Sequence, residues 1–122
     1  MYSFRVATLA TATFLAMLTA GAQAAQAEPA KTPTGKALAF DNRKGNCLAC
    51  HRMPSDPSAV TNADIAPPLV SMKARFPDRA KLYAQVWDAT RANGNTLMPP
   101  FGKHKILTED EINKIVDYIY EL

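Results

Sequence analysis

The sequence predicts one small all-α domain, and three observations carry that expectation. Thr108-Glu109-Asp110-Glu111 is a capping box, in which a hydroxyl and a carboxylate satisfy the early backbone N–H groups of a helix. Ile112, Ile115, Val116, Ile119 and Leu122 follow as one apolar stripe, with Asp110, Asn113, Lys114, Asp117 and Glu121 on the other side. No stretch alternates apolar and polar residues for long enough to make a convincing strand.

Taken from the start, Arg5 is the only charge before Glu28, and Val6 to Ala20 is almost entirely apolar or small. Ala22-Gln23-Ala24 and Ala25-Gln26-Ala27 then place small residues at the A-x-A spacing, so residues 1–27 read as a secretory signal peptide cut after Ala24 or Ala27. The apolar run is about 15 residues, short of the ~20 that span a bilayer, so the mature form is expected to have no membrane span. Export to the periplasm follows from this reading. The formal net charge of +3 loses only Arg5, and no basic block is present, so nucleic acid is not an expected partner.

Residues 28–35 are a lead-in without apolar periodicity, and 36–122 form the domain. Lys36 to Asn42 is a short helix candidate. Arg52 to Pro68 is loop-like, with Pro54, Pro57, Pro67 and Pro68. Ser71 to Phe76 is expected to form a brief helical turn. Pro77 is expected to open a longer helix through Ala92, with Leu82, Val86, Ala89 and Thr90 at helical spacing and Asn93-Gly94-Asn95 as its stop. Thr96 to Leu107 is a second irregular segment, before the capped helix.

The chemistry concentrates in Cys47-Leu48-Ala49-Cys50-His51. Two thiols one helical turn apart, followed at once by an imidazole, are the attachment signature of c-type haem. Each thiol meets one vinyl group on an edge of the macrocycle, and the adjacent histidine reaches the iron as an axial ligand. A zinc site recruiting His104, a redox dithiol and a plain disulfide are the competing readings. For the second axial ligand the mature chain offers Met53, Met72, Met98 and His104. Met53 lies too close to His51 in sequence to wrap around the macrocycle. Met72 adjoins Leu69 and Val70 and reads as core. Met98 sits in a loop stiffened by Pro99 and Pro100, which suits a thioether held over an iron. Bis-histidine ligation through His104 is the alternative. The second nitrogen of His51 needs an acceptor, and a carbonyl of Ala66-Pro67-Pro68-Leu69 is a candidate. Tyr83, Trp87 and Phe101 are candidates for packing on the macrocycle or for plain core.

With these residues on the page, the chain resembles the class I cytochromes c: an N-terminal helix, C-x-x-C-H, a proline-leucine turn, a methionine loop and a C-terminal helix. The resemblance implies an all-α, class I cytochrome c-like fold of three to five helices around one covalent haem, with Pro67 as the His51 acceptor. Ala66 departs from the glycine usual in that family before the proline. A narrower resemblance is to the SoxX family, carried by Gly45-Asn46-Cys47-Leu48-Ala49-Cys50-His51, Ala66-Pro67-Pro68-Leu69-Val70, Arg75-Phe76-Pro77-Asp78, Val86-Trp87-Asp88-Ala89-Thr90, Met98-Pro99-Pro100-Phe101-Gly102 and Ile106-Leu107-Thr108-Glu109 to Tyr120. It implies haem c with His51 and Met98 as axial ligands and a periplasmic heterodimer with a SoxA-type cytochrome subunit. It also implies a part in the oxidative joining of thiosulfate to a carrier-protein cysteine. The sulfur chemistry, of the L-cysteine S-thiosulfotransferase type, would belong to the partner. This subunit would transfer electrons without itself being catalytic, and pass them to a downstream acceptor such as another small cytochrome c. A free-standing electron shuttle and a non-haem zinc or dithiol protein are the alternatives.

Overall fold

The computed structural model describes residues 32–122; the signal-peptide reading of residues 1–27 lies outside them. Four α-helices form among the described residues, with no strand: α1 (Gly35–Phe40), α2 (Met72–Arg75), α3 (Arg79–Trp87) and α4 (Glu109–Tyr120). Two 3₁₀ turns, Cys47–Ala49 and Ala89–Arg91, lie between them. No described helix is long and apolar enough to cross a membrane.

The capped helix begins where the sequence places it. Thr108 Oγ1 accepts from the Glu111 N–H at 3.2 Å, and Glu111 Oε2 accepts from the Thr108 N–H at 2.9 Å. Both are early N–H groups that the helix cannot satisfy internally. Thr108→Ala removes one of these acceptors and is expected to cost about 1 kcal/mol, read as a lowered thermal midpoint.

The helix expected from Pro77 to Ala92 is shorter and broken. Pro77 stays outside it, and Asp78 caps it by accepting from the Ala80 N–H at 2.9 Å. It ends at Trp87 because Asp88 leaves helical geometry and its carboxylate accepts from the Thr90 N–H and hydroxyl, restarting the chain as a 3₁₀ turn. Aspartate competes with the helix in this way because its short side chain offers the backbone an alternative acceptor.

Helix α4 is the hub. Ile112, Ile115, Val116 and Ile119 bury its stripe with Leu38 and Ala39 of α1 and Leu82 and Val86 of α3. Helices α1 and α4 touch backbone to backbone at Gly35, where a Cβ would fall 1.8 Å from the Lys114 carbonyl oxygen. Arg79 ties α3 to α4 by donating to Asp117 and Asn113. The stretch from α2 to α3 follows the same helix, with Tyr120 donating to the Pro77 carbonyl at 3.1 Å.

A polar knot fastens the loop after the cysteine motif to these helices. Asp56 accepts from Lys36 of α1, Tyr118 of α4 and Ser58. The Lys36 bond, then those of Tyr118 and Ser58, hold the Asp56 carboxyl well below the usual carboxylate range. A carboxyl whose folded-state value is depressed contributes stability above its unfolded value and loses it as pH falls through the folded one. The stability from Asp56 is therefore present above about pH 4 and drains away below it. Asp56→Asn is expected to flatten that acid limb of stability against pH, measured by thermal unfolding across the range.

Candidate functional site

The C-x-x-C-H segment is set by the turn that precedes it. Helix α1 stops at Asp41, whose carbonyl accepts from the N–H groups of Lys44 and Asn46, and the Gly45 N–H returns to the Leu38 carbonyl at 3.0 Å. Gly45 is confined there, since a Cβ would stand 2.9 Å from Leu38 O and 3.2 Å from Cys47 Sγ. Asn46 then takes φ 48°, a left-handed conformation that asparagine tolerates better than most side chains. From Cys47 the backbone coils: the Cys50 and His51 N–H groups both donate to the Cys47 carbonyl, at 3.2 and 2.8 Å. The two thiols therefore project one turn apart, and they are unbridged.

His51 is oriented by its neighbours. Its Nδ1–H donates to the Pro67 carbonyl at 2.7 Å. A carbonyl only accepts, so this bond fixes the tautomer and leaves Nε2 as the nitrogen available to a metal. The departure at Ala66 does not prevent it: the Ala66 N–H reaches the Cys50 carbonyl at 3.1 Å.

Cys47, Cys50, His51 and Met98 line one cavity of about 660 Å³. Leu69, Met72, Phe76, Leu82, Val86, Phe101 and Ile119 supply apolar wall. That volume is in the range of sites for a cofactor-sized ligand. A flat apolar macrocycle with an iron at its centre needs two thiols on one edge, an axial imidazole and a dry wall, and the donor set and surface fit it. Burial pushes the Cys47 thiol up to about 11; a backbone hydrogen bond opposes the shift and Cys50 adds to it. Such a thiol is protonated at neutral pH, unlike the depressed thiols of redox dithiols. Among the described residues no three His, Cys, Asp or Glu side chains gather to hold a metal ion by themselves.

The other candidates separate. Met53 is buried, 3.6 Å from the Tyr118 hydroxyl. Met72 is 2% exposed and belongs to the core while also touching the cavity. His104 is exposed and outside the cavity wall. Tyr83 and Trp87 stack on each other at 5.9 Å and line a separate groove with Arg91 and Glu109, whereas Phe101 faces the cavity.

The support of the Met98 loop is not legible in the sequence. The Met98 N–H donates to Thr96 Oγ1 at 3.1 Å, and the Gly102 N–H to the Trp87 carbonyl at 3.0 Å. Trp87 lies flat against Gly102, where a Cβ would come within 2.2 Å of the indole. Lys103 pairs with the buried Asp88 carboxylate at 3.2 Å. The hydrogen bond from Thr90, then Lys103, holds that carboxyl below its ordinary value against the opposing effect of burial. The end of α3 thus anchors the loop at its far end. The Asp88–Lys103 contact has no sequence signal, because nothing in the spacing of the two residues announces it.

The family model of cytochrome C oxidase, cbb3-type, subunit III matches residues 30–119. The chain belongs to this family. It is a class I cytochrome c-like domain, and a cytochrome c domain carries haem c covalently, here with one C-x-x-C-H pair to hold it. A chain of the crystal structure of SoxXA from P. pantotrophus superposes with a TM-score of 0.63 at 26% identity, covering 70% of this chain and 77% of that one. The cytochrome is SoxX-like and monohaem. An uncharacterized lipoprotein of Aquifex aeolicus (strain VF5) is 31% identical over 80 residues, 66% of this chain. The match spans 38% of that lipoprotein's length.

Proposed function

We propose that this cytochrome is the electron-transfer subunit of a periplasmic SoxA-containing complex that couples thiosulfate oxidatively to a carrier-protein cysteine, with His51 and Met98 as the iron's axial ligands. The observation that carries the reading is the convergence of Cys47, Cys50, His51 and Met98 on one apolar cavity. When bound, haem c supplies a one-electron ferric/ferrous couple.

The chain's residues do the rest. Cys47 and Cys50 tether the group, so the iron and His51 stay at high local concentration. Pro67 fixes the His51 ring and its tautomer. The Thr96, Trp87 and Asp88–Lys103 contacts hold the Met98 loop. His51 and Met98 would hold the iron from two sides and leave it no site for a sulfur substrate, which supports outer-sphere electron transfer here and sulfur chemistry on the partner subunit. Leu97, Ile65 and Ile106, 83%, 65% and 42% exposed, all line the cavity. Exposed apolar side chains grouped around the site favour a docked subunit over a free shuttle, which carries charge there.

The test is purification of the mature protein from its native periplasm. The expected result is a haem Soret band, a mass raised by one prosthetic group, a co-purifying SoxA-type cytochrome, and reduction by thiosulfate that requires that partner and the carrier protein. A coloured monomer that exchanges electrons without any partner overturns the complex in favour of a free shuttle. A colourless product removes the haem itself.

A further inference from the structure

We propose that Arg75 is a positioning residue that holds the Pro67 carbonyl in place for His51. The inference rests on the reading of His51 as an iron ligand and concerns what fixes that ligand's orientation.

Residues 66–69 run beside residues 50–52, joined by the Ala66 N–H to the Cys50 carbonyl at 3.1 Å and the Leu69 N–H to the Arg52 carbonyl at 2.8 Å. Between these two rungs stand Pro67 and Pro68, which have no N–H to give. The centre of the segment is bridged instead by His51, through its 2.7 Å bond to the Pro67 carbonyl. The orientation of that carbonyl relative to the next peptide plane depends on two dihedrals, φ and ψ of Pro68. The Pro68 ring locks φ, so ψ is the soft one.

That next plane carries the Pro68 carbonyl on one edge and the Leu69 N–H on the other. The N–H edge is pinned by Arg52. The carbonyl edge is pinned by Arg75, whose Nη1 donates to it at 2.8 Å. Ser71, in left-handed geometry at φ 51°, turns the chain so that the last residue of α2 comes back to Pro68. The same Nη1 lies 3.5 Å from the sulfur of buried Met72, which seats the guanidinium on the core. Arg75 thus sets ψ of Pro68, ψ sets the Pro67 carbonyl, and the carbonyl sets the His51 ring.

A positioning role and a bare charge move the reduction potential in opposite directions. A cation lost near the iron makes reduction harder and lowers the potential. A loosened His51–Pro67 bond makes the imidazole a weaker electron donor to the iron, stabilises the ferric form less and raises the potential. The experiment uses the mature haem-loaded protein as Arg75→Gln, with Lys73→Gln as control, since Lys73 is an exposed cation of the same helix, bonded to Glu121. NMR of the reduced form measures exchange of the His51 Nδ1–H with solvent, and a potentiometric titration gives the midpoint.

Arg75→Gln is expected to speed that exchange about fivefold, the scale of one hydrogen bond. Its potential is expected to lie above that of Lys73→Gln, in which exchange is unchanged. Exchange unchanged in Arg75→Gln, with a potential lowered as in the control, overturns the proposal and leaves Arg75 a charge only. Arg75→Lys serves if the Gln variant does not mature. It keeps the cation but not the planar fork, so exchange and potential should both rise, and no movement in either overturns the proposal. The unsubstituted protein is read first: a His51 ring without the shifts of an iron-bound imidazole fails the proposed function itself, separately from the Arg75 result.

Discussion

Met98→Ala is expected to abolish the weak far-red sulfur–iron charge-transfer band of the oxidised cytochrome and to lower its reduction potential. Thioether ligation favours the ferrous iron, and axial ligands move haem potentials over a range of ~0.8 V. Losing the thioether should therefore shift the midpoint by on the order of a hundred millivolts or more, read by potentiometric titration. The structure narrows the alternatives. Met53 is buried with its sulfur against the Tyr118 hydroxyl, which also donates to Asp56. Met72 is held in the core with Arg75 on its sulfur. His104 lies outside the cavity. A band that survives Met98→Ala would identify Met72, the other methionine on the cavity wall, as the ligand. Stability should fall less than the spectrum changes, because the loop is also held from Thr96, Trp87 and Asp88.

Gly35→Ala is expected to be the most destabilising of the small substitutions. The added Cβ would lie 1.8 Å from the carbonyl oxygen of Lys114, 2.5 Å from its carbon and 3.1 Å from the Ile115 nitrogen. All three are backbone atoms of α4, so no side chain can rotate away and the two helices must part. That separation opens the interface of Leu38 and Ala39 with Ile112, Ile115 and Val116, all at or below 2% exposure. A cost of about 3 kcal/mol is expected, since overpacking in a close-packed core reaches this size. In a domain of this length it corresponds to a fall of roughly 15 °C in Tm. Thermal unfolding of the haem-loaded protein measures it, with Gly94→Ala as reference. Nothing lies within 4 Å of a Cβ at Gly94, and that change should stay within about 0.5 kcal/mol. A Gly35→Ala protein as stable as the reference would mean that α1 and α4 do not meet at this point.

The two predictions probe different layers of legibility. The start and core face of α4 are legible because its cap and stripe are local, although the helix ends at Tyr120 and leaves Leu122 of the stripe outside it. The helix after Pro77 is shorter than its spacing predicts, because apolar spacing continues through Ala89 while Asp88 diverts its carboxylate to the backbone of Thr90. Spacing registers apolar side chains and not a competing acceptor. The glycine at position 35 gave no signal either, since its role arises from a helix far along the chain.

What the sequence by itself determined is the chemistry: two thiols and an imidazole at fixed separations, a methionine stiffened by prolines, and a helix with its own start signal. These are short-range relations, set by covalent spacing and backbone hydrogen bonding. Only the tertiary structure decided the rest. It closed the His51 bond to the Pro67 carbonyl that the family resemblance implies, set Trp87 and Asp88 behind the methionine loop, and brought Arg75 to Pro68. Those contacts join segments distant along the chain, and their geometry exists only once burial of the α1, α3 and α4 faces has fixed where each loop must run.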